Sequence, residues 1–110
     1  EDEQLIDVVT AVAGSGPAYV FYLIECLAQA GMEQGLPEDL ARKCAGQMVA
    51  GAGELYRQSG ESAEQLRKNV TSPKGTTEAA LTVLMAADGL RPLIGRTVEA
   101  AAKRSRELAG

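Results

Sequence analysis

The spacing of apolar residues predicts a chain built from helices. Apolar positions recur every three or four residues along most of the chain, without the strict alternation that is typical of half-buried strands. Leu5, Val8 and Val12 mark the first such segment, for which the β-branched residues also allow a short strand as an alternative. The pattern predicts an all-α fold of five to six packed helices in one domain, residues 1–110, with helices over about 4–13, 16–34, 38–57, 62–70, 79–85 and 92–108.

The second predicted helix, 16–34, is apolar around most of its circumference. Leu23 and Leu27 lie on one stripe, and Phe21 and Cys26 extend the apolar surface round the other side. A helix of this kind needs more than one covering neighbour, and a chain of 110 residues supplies few of them. We therefore expect a second copy of the chain to cover it in a homodimer.

Glycines mark expected turns and expected helix contacts. Gly35 is predicted to end the second helix in a left-handed conformation, and Gly14 and Gly16 are predicted to form a tight turn between helices. A dinucleotide-binding loop is not indicated, because Tyr19 stands where a third glycine is needed. Each glycine inside a helix costs about 1 kcal/mol relative to alanine. Close approach of a neighbouring helix would offset that cost at three positions in the third helix: Gly46, Gly51 and Gly53.

Charge and composition narrow the classes of partner. The formal charge is −4 and the basic residues are scattered, so we expect no nucleic-acid partner. No apolar run approaches the roughly 20 residues of a membrane-spanning helix. The acidic opening Glu1-Asp2-Glu3 is also unlike a signal peptide. We expect a soluble, cytoplasmic protein without a membrane partner.

The cysteine and histidine content limits the chemistry. Cys26 and Cys44 lie singly within helical patterns, so we expect them to be buried, reduced and free of metal. The chain has no histidine, which removes the usual general base and the partner of a Ser-His or Cys-His nucleophile pair. No metal site is predicted. Any chemistry must rest on hydroxyls, amides or groups supplied from elsewhere.

The segment Asn69–Glu78 holds the candidate chemistry. Hydroxyls, a proline and a glycine precede an apolar helical run there. Ser72, Thr76 or Thr77 could each cap that helix. Gly75 would let the backbone approach a bound group closely. Free amides and hydroxyls at the positive end of a helix predict a carboxylate or phosphate site, and the alternative is a capped helix without a ligand.

Two motifs carry a resemblance to a known family. Residues 69–81 read NVTSPKGTTEAAL, and residues 13–19 read AGSGPAY ahead of a Gly-Leu-Pro turn at 35–37. The first resembles the signature of pyrroline-5-carboxylate reductase, the last enzyme of proline biosynthesis, and the second resembles the opening of that family's helical C-terminal domain. The resemblance covers essentially all 110 residues in order.

The resemblance implies one half of a two-domain reductase. An N-terminal Rossmann domain, absent from this chain, would bind NADPH or NADH. The helical C-terminal domain of a Rossmann-type dehydrogenase, represented here, would interleave with its partner in a homodimer. Whether such dimers assemble further into rings is left open. The isolated chain would then neither bind the cofactor nor reduce the substrate.

The resemblance also implies roles for individual residues. Ser72 and the backbone amides of the turn at Gly75, Thr76 and Thr77 would hold the substrate carboxylate. Thr77 would be the catalytic residue, donating a hydrogen bond to the imine nitrogen. Asn69, which precedes the site in the same motif, would support the residues that contact the substrate. The chain has Lys74 and Thr76 at two positions of the turn, where many members of the family that it resembles have glycine and alanine or another small residue.

Two other classes of protein compete with this interpretation. One is a non-catalytic, all-helical dimerisation module, for which the Ser-Pro segment is only a cap. The other is the helical domain of a β-hydroxyacid dehydrogenase, which needs a helix carrying Lys-x-x-x-Asn or Lys-x-x-x-Asp. The chain has Gln47 four residues after Lys43 and Ser72 four residues after Lys68, so that pattern is absent.

Overall fold

The computed structural model describes residues 2–110 and confirms the all-α prediction. Within those residues it contains no strand. A π turn, Thr10–Gly14, follows the first of six α-helices. The helices are α1 (Asp2–Val9), α2 (Gly16–Glu33), α3 (Glu38–Ser59), α4 (Ala63–Asn69), α5 (Thr76–Leu84) and α6 (Leu90–Ala109).

The chain separates into two compact units. One comprises residues 1–16 and 67–110, and the other comprises residues 17–66. The first unit brings α1 and the π turn against α6, and it also holds the whole Ser-Pro segment. The assignment of all 110 residues to one domain stays a prediction.

The segment around Gly14 differs from the predicted tight turn. Ser15 has helical backbone angles, φ −86° and ψ −15°, and its N–H donates to the Thr10 carbonyl at 2.8 Å. This hydrogen bond spans five residues, which defines a π turn. The prediction of a tight turn was wrong because the glycines admit a widened helical turn as readily as a chain reversal.

The first unit contains a buried polar contact between distant parts of the sequence. Asp7 of α1 is only 9% exposed, and the Ser105 hydroxyl of α6 donates to its Oδ1 at 2.7 Å. The buried apolar residues of this unit are small, Ala11 in the π turn and Ala102 in α6. Small side chains bring the two backbones close, so a short serine can reach the carboxylate.

The second unit also has a core of small side chains. Ala28 of α2 forms a buried cluster with Ala41 and Ala45 of α3, and Ile24 and Met32 pack against it. Alanine contributes little apolar area, so this cluster stabilises the helix pair only modestly. Among the described residues, no large side chain is fully buried.

The turn after α2 confirms the role predicted for Gly35. This residue has φ +106°, and its N–H donates to the Met32 carbonyl at 3.0 Å. The Leu36 N–H donates to the Gly31 carbonyl, also at 3.0 Å. These two bonds form a Schellman motif, which requires a left-handed residue at the position of Gly35. The chain is therefore directed into α3 by a backbone conformation that favours glycine.

Large apolar faces remain uncovered in the single chain, contrary to part of the sequence analysis. Cys26 and Cys44, predicted to be buried, are exposed free thiols. A Cβ added at Gly46, Gly51 or Gly53 would meet no atom within 4 Å, so the predicted close helix contact is not made within this chain. Both predictions assumed neighbours that one copy of the chain does not supply. Exposed large apolar residues of α2 include Val20, Phe21, Tyr22, Leu23 and Leu27.

The helical run Asp2–Glu33 contradicts the prediction that no apolar run approaches the length of a membrane span. By length and composition this run could cross a bilayer, and only 11% of its most apolar window is buried. Alanine and the scattered Val, Leu, Ile and Phe residues raise its hydropathy without forming an uninterrupted apolar block. A single helix of this kind is a weak indication, because core helices and signal sequences meet the same criterion.

We predict that Gly35→Ala lowers the free energy of unfolding by about 1 kcal/mol, because an L side chain is strained in the left-handed region. Gly35→Asn should cost less, since asparagine tolerates that conformation better than alanine. Urea unfolding at one fixed protein concentration measures both variants, because association would make stability depend on concentration. Equal losses from the two substitutions would contradict the explanation.

We predict that Ser105→Ala lowers the free energy of unfolding by about 1–3 kcal/mol, because it removes a donor from a buried carboxylate. Asp7→Ala removes the other partner of the same hydrogen bond. The double variant should therefore lose less stability than the two single variants together. Urea unfolding of all four proteins tests this, and strictly additive losses would show that the two side chains do not interact.

Candidate functional site

A reverse turn at Ser72–Gly75 forms the centre of the candidate site. The Gly75 N–H donates to the Ser72 carbonyl at 3.1 Å. Pro73 occupies the second position of this turn, and Lys74, at the third position, has φ +61°. Proline second and a positive φ third are the pattern of a type II turn. Pro73 therefore lies within the turn, and α5 begins three residues later, at Thr76.

The start of α5 differs from all three predicted caps. The helix begins at Thr76, and its N-cap is Gly75, which makes no side-chain capping bond. Ser72 lies too early in the turn to cap the helix, and Thr76 and Thr77 already have helical positions. The predictions that Ser72, Thr76 or Thr77 caps this helix were wrong, because the turn shifts the helix start to the residue after Gly75.

Gly75 brings the backbone of the turn close to the helix end. Its backbone is extended, φ −91° and ψ −175°, which any residue can adopt. A Cβ at this position would lie 3.3 Å from the Ser72 carbonyl oxygen and 3.6 Å from the Ser72 Cβ. The close approach of Gly75 to Ser72, and not the backbone angles, is what favours glycine here.

The first amides of α5 remain available to a ligand. The first intrahelical bond runs from the Ala79 N–H to the Gly75 carbonyl at 3.2 Å. The N–H groups of Thr76, Thr77 and Glu78 therefore precede the helical ladder, and glycine at the N-cap offers them no side-chain acceptor. Three such donors at the positive end of a helix suit an anion.

The structure brings together four of the five residues predicted for the site. Ser72, Gly75, Thr76 and Thr77 occupy the turn and the first two helical positions, with Ser72 and Thr76 exposed and Thr77 half-buried. Asn69 is different, because it is the last residue of α4 and lies three residues before Ser72, where the turn begins. Its supporting role stays a prediction.

Thr71 fixes the connection from α4 to the turn. Its hydroxyl donates to the Arg67 carbonyl at 2.6 Å, and its N–H donates to the Lys68 carbonyl at 3.1 Å. Both acceptors lie in the last turn of α4, where carbonyl groups lack helical partners. This local bonding sets where Ser72 begins the turn.

Glu78, which was not among the predicted site residues, contacts the turn directly. Its Oε1 accepts a hydrogen bond from the Lys74 N–H at 2.7 Å. Glu78 is the third residue of α5, the position from which an acid commonly reaches back to backbone amides ahead of a helix. The spacing Gly75-Thr-Thr-Glu78 was a usable signal, because it places the acid three residues after the N-cap.

The chemical capacity of this arrangement follows from its donors. A serine hydroxyl, two threonine hydroxyls and backbone amides can hold a carboxylate and donate one further hydrogen bond nearby. Within residues 2–110, no group of three or more Cys, Asp or Glu residues is placed to hold a metal ion. The site can therefore position an anionic substrate but has no strong acid or base of its own among the predicted residues.

Comparisons with known proteins agree on one family. The family model described as pyrroline-5-carboxylate reductase dimerisation matches residues 3–108. The chain is 47% identical over 107 residues to the pyrroline-5-carboxylate reductase of Pisum sativum, covering 97% of this chain and 39% of that protein. It is 48% identical over 106 residues to the enzyme of Synechocystis sp., with 96% and 39% coverage.

Solved structures show the same relationship. A pyrroline-5-carboxylate reductase from Coxiella burnetii matches with a TM-score of 0.90 at 40% identity, covering 98% of this chain and 40% of that chain. The Plasmodium falciparum pyrroline carboxylate reductase, solved with NADP bound, matches with a TM-score of 0.88 at 33% identity, covering 97% and 40%. The chain thus spans about two fifths of the length of these relatives. Because the family model and the described helices coincide over nearly the whole chain, the protein belongs to the pyrroline-5-carboxylate reductase dimerisation family.

Proposed function

We propose that this chain is the substrate-binding and dimerising part of a pyrroline-5-carboxylate reductase. The complete enzyme would reduce 1-pyrroline-5-carboxylate to L-proline with NADPH or NADH, the last step of proline biosynthesis. The observation that carries the proposal is the Ser72–Gly75 turn at the start of α5, where free amides and hydroxyls converge. That arrangement suits the carboxylate of pyrroline-5-carboxylate, the compound in the names of the relatives.

In this proposal the ring carboxylate of the substrate is the handle for orientation. The amides of Thr76 and Thr77 and the hydroxyl of Ser72 donate to it, and the positive end of α5 favours its charge. The carboxylate stays ionised during the reaction. Contacts to it therefore stabilise the substrate and the transition state about equally, and their loss should appear mainly in KM.

Thr77 would act on the other side of the substrate, at the imine nitrogen. Charge changes at this nitrogen when hydride reaches the neighbouring carbon, so a donor placed there stabilises the transition state. A threonine hydroxyl is too weak an acid to lose its proton outright at neutral pH. Thr77 would therefore donate a hydrogen bond, or relay a proton from water.

The nicotinamide cofactor would be held by a region that this chain does not contain. The relative solved with NADP bound is about two and a half times as long as the match. When bound, the cofactor supplies the hydride, and this chain contributes positioning and hydrogen bonding. The two free cysteines fit a reducing compartment, and we propose a cytoplasmic location on that basis.

Homodimerisation would provide the cover that the apolar faces lack. Phe21 and Tyr22 of α2 are 64% and 65% exposed in the single chain. A groove of about 580 Å³ in the first unit adds exposed apolar surface, with Leu84, Leu90 and Ile94 in its wall. Large apolar residues left exposed on either unit are typical of interaction sites.

We predict that this chain of 110 residues sediments as a dimer at micromolar concentration. Leu23→Lys, on the apolar face of α2, should dissociate the dimer or prevent folding, because it places a charge in the contact. Gln29→Lys introduces the same charge on a polar position of the same helix and should leave the dimer intact. A stable, fully folded wild-type monomer would contradict the proposal.

We predict that Ser72 and Thr77 affect different kinetic parameters in the full-length reductase. Thr77→Ala should lower kcat roughly ten- to a thousand-fold, the range for losing one positioned donor, whereas Ser72→Ala should chiefly raise KM. Thr77→Ser should keep much of the rate, because it retains the hydroxyl. Steady-state assays with 1-pyrroline-5-carboxylate and reduced cofactor measure these values.

A matched control for Thr77→Ala is Thr97→Ala in α6. Thr97 is also half-buried, and its hydroxyl donates to the Leu93 carbonyl at 2.8 Å within the helix. The control should keep wild-type kcat. Wild-type kcat in a folded Thr77→Ala dimer would exclude a role for Thr77 at the imine nitrogen.

A further inference from the structure

We propose that Glu78 is a positioning residue for the candidate carboxylate site, acting through the backbone of Lys74. This inference rests on the proposed function, because it concerns the turn that would hold the substrate carboxylate. The carrying observation is the hydrogen bond of 2.7 Å from the Lys74 N–H to the Glu78 Oε1. Glu78 fixes the orientation of the Pro73–Lys74 peptide and thereby the type of the turn.

The backbone of Lys74 shows why such a constraint is needed. Its φ of +61° is the only positive value at a non-glycine residue among residues 2–110. A turn with proline second can be type I or type II, and only type II requires a positive φ at the third residue. With lysine third, type I is the less strained choice. An interaction specific to type II must therefore hold the turn as it is.

The Glu78 carboxylate supplies that specificity. The two turn types differ by a flip of the central peptide, here the peptide between Pro73 and Lys74. In the flipped form the Lys74 N–H would point away from Glu78, and the Pro73 carbonyl oxygen would take its place. Two oxygens would then face each other beside the start of α5. The carboxylate thus favours the observed orientation and opposes the flipped one.

The orientation of this peptide affects the electrostatics of the site. A carbonyl oxygen turned toward the start of α5 would add partial negative charge where Thr76 and Thr77 offer their amides to an anion. In the observed turn that oxygen points elsewhere. The negative charge of Glu78 would by itself disfavour a carboxylate ligand, so the useful property of this residue is its ability to accept a hydrogen bond.

Two substitutions of Glu78 distinguish its role as a hydrogen-bond acceptor from the effect of its charge. Glu78→Ala removes the acceptor and should raise KM for 1-pyrroline-5-carboxylate roughly three- to ten-fold in the full-length reductase, the effect of losing one hydrogen bond, with kcat changed less than KM. Glu78→Gln keeps an acceptor oxygen and removes the charge, so KM should equal the wild-type value or fall below it. Glu99→Ala, at an exposed glutamate of α6, is the control for charge removal and should leave KM unchanged.

A substitution at Lys74 distinguishes the positioning role of Glu78 from a general effect of Glu78 on the stability of the protein. Glycine adopts φ +61° without strain, so Lys74→Gly should make the type II turn independent of Glu78. In the Lys74→Gly background, adding Glu78→Ala should change KM less than two-fold. This rescue is expected only if Glu78 acts by holding the Lys74 backbone. Should Glu78→Ala alone fail to fold, the pair of Lys74→Gly proteins carries the test.

The outcomes separate this inference from the proposed function. If Ser72→Ala raises KM but Glu78→Ala does not, the carboxylate site stands and the positioning role of Glu78 is overturned. An equal rise in KM from Glu78→Ala in the lysine and glycine backgrounds would also overturn it. If Ser72→Ala leaves KM unchanged, the carboxylate site itself fails, whatever the Glu78 variants do.

Discussion

The main physical constraint on this chain is that its buried side chains are small. Its small buried clusters consist mainly of alanine, so packing within one chain yields little apolar burial. Alanine does allow close backbone approach, and this is why Ser105 can reach the buried Asp7. The large apolar residues of α2 lie on faces that the chain leaves open. In a homodimer, the second copy of the chain would cover the apolar faces that the first copy leaves exposed.

The candidate site follows a different principle, since it is made mostly of backbone. The first amides of α5 and the Ser72 hydroxyl supply its donors, and the Ser72–Gly75 turn places them. A site of this kind needs an accurate turn more than an unusual side chain. The bond from the Lys74 N–H to Glu78 and the contact of Gly75 with Ser72 both determine the path of that turn.

Most of the helices and the segment of the candidate site can be predicted from the sequence, but the details of the turn cannot. The sequence shows that Ser72, Gly75, Thr76 and Thr77 lie together, because they are neighbours in the chain. It does not show the cap, since Ser-Pro is compatible both with a helix start and with a reverse turn. The choice between them depends on the φ of Lys74 and on an acid one turn into α5, which residue preferences alone do not fix.

The sequence by itself determined the all-α class, the left-handed Gly35 and the family, because periodicity, turn chemistry and motif order are local properties of the chain. Only the tertiary structure decided that Asp7 meets Ser105, that Thr10–Gly14 forms a π turn, and that Cys26 and Cys44 are exposed in one copy. The physical reason is that burial depends on which surfaces meet. An apolar pattern shows that a helix face needs cover, but the position of the covering surface is fixed only when the chain has folded.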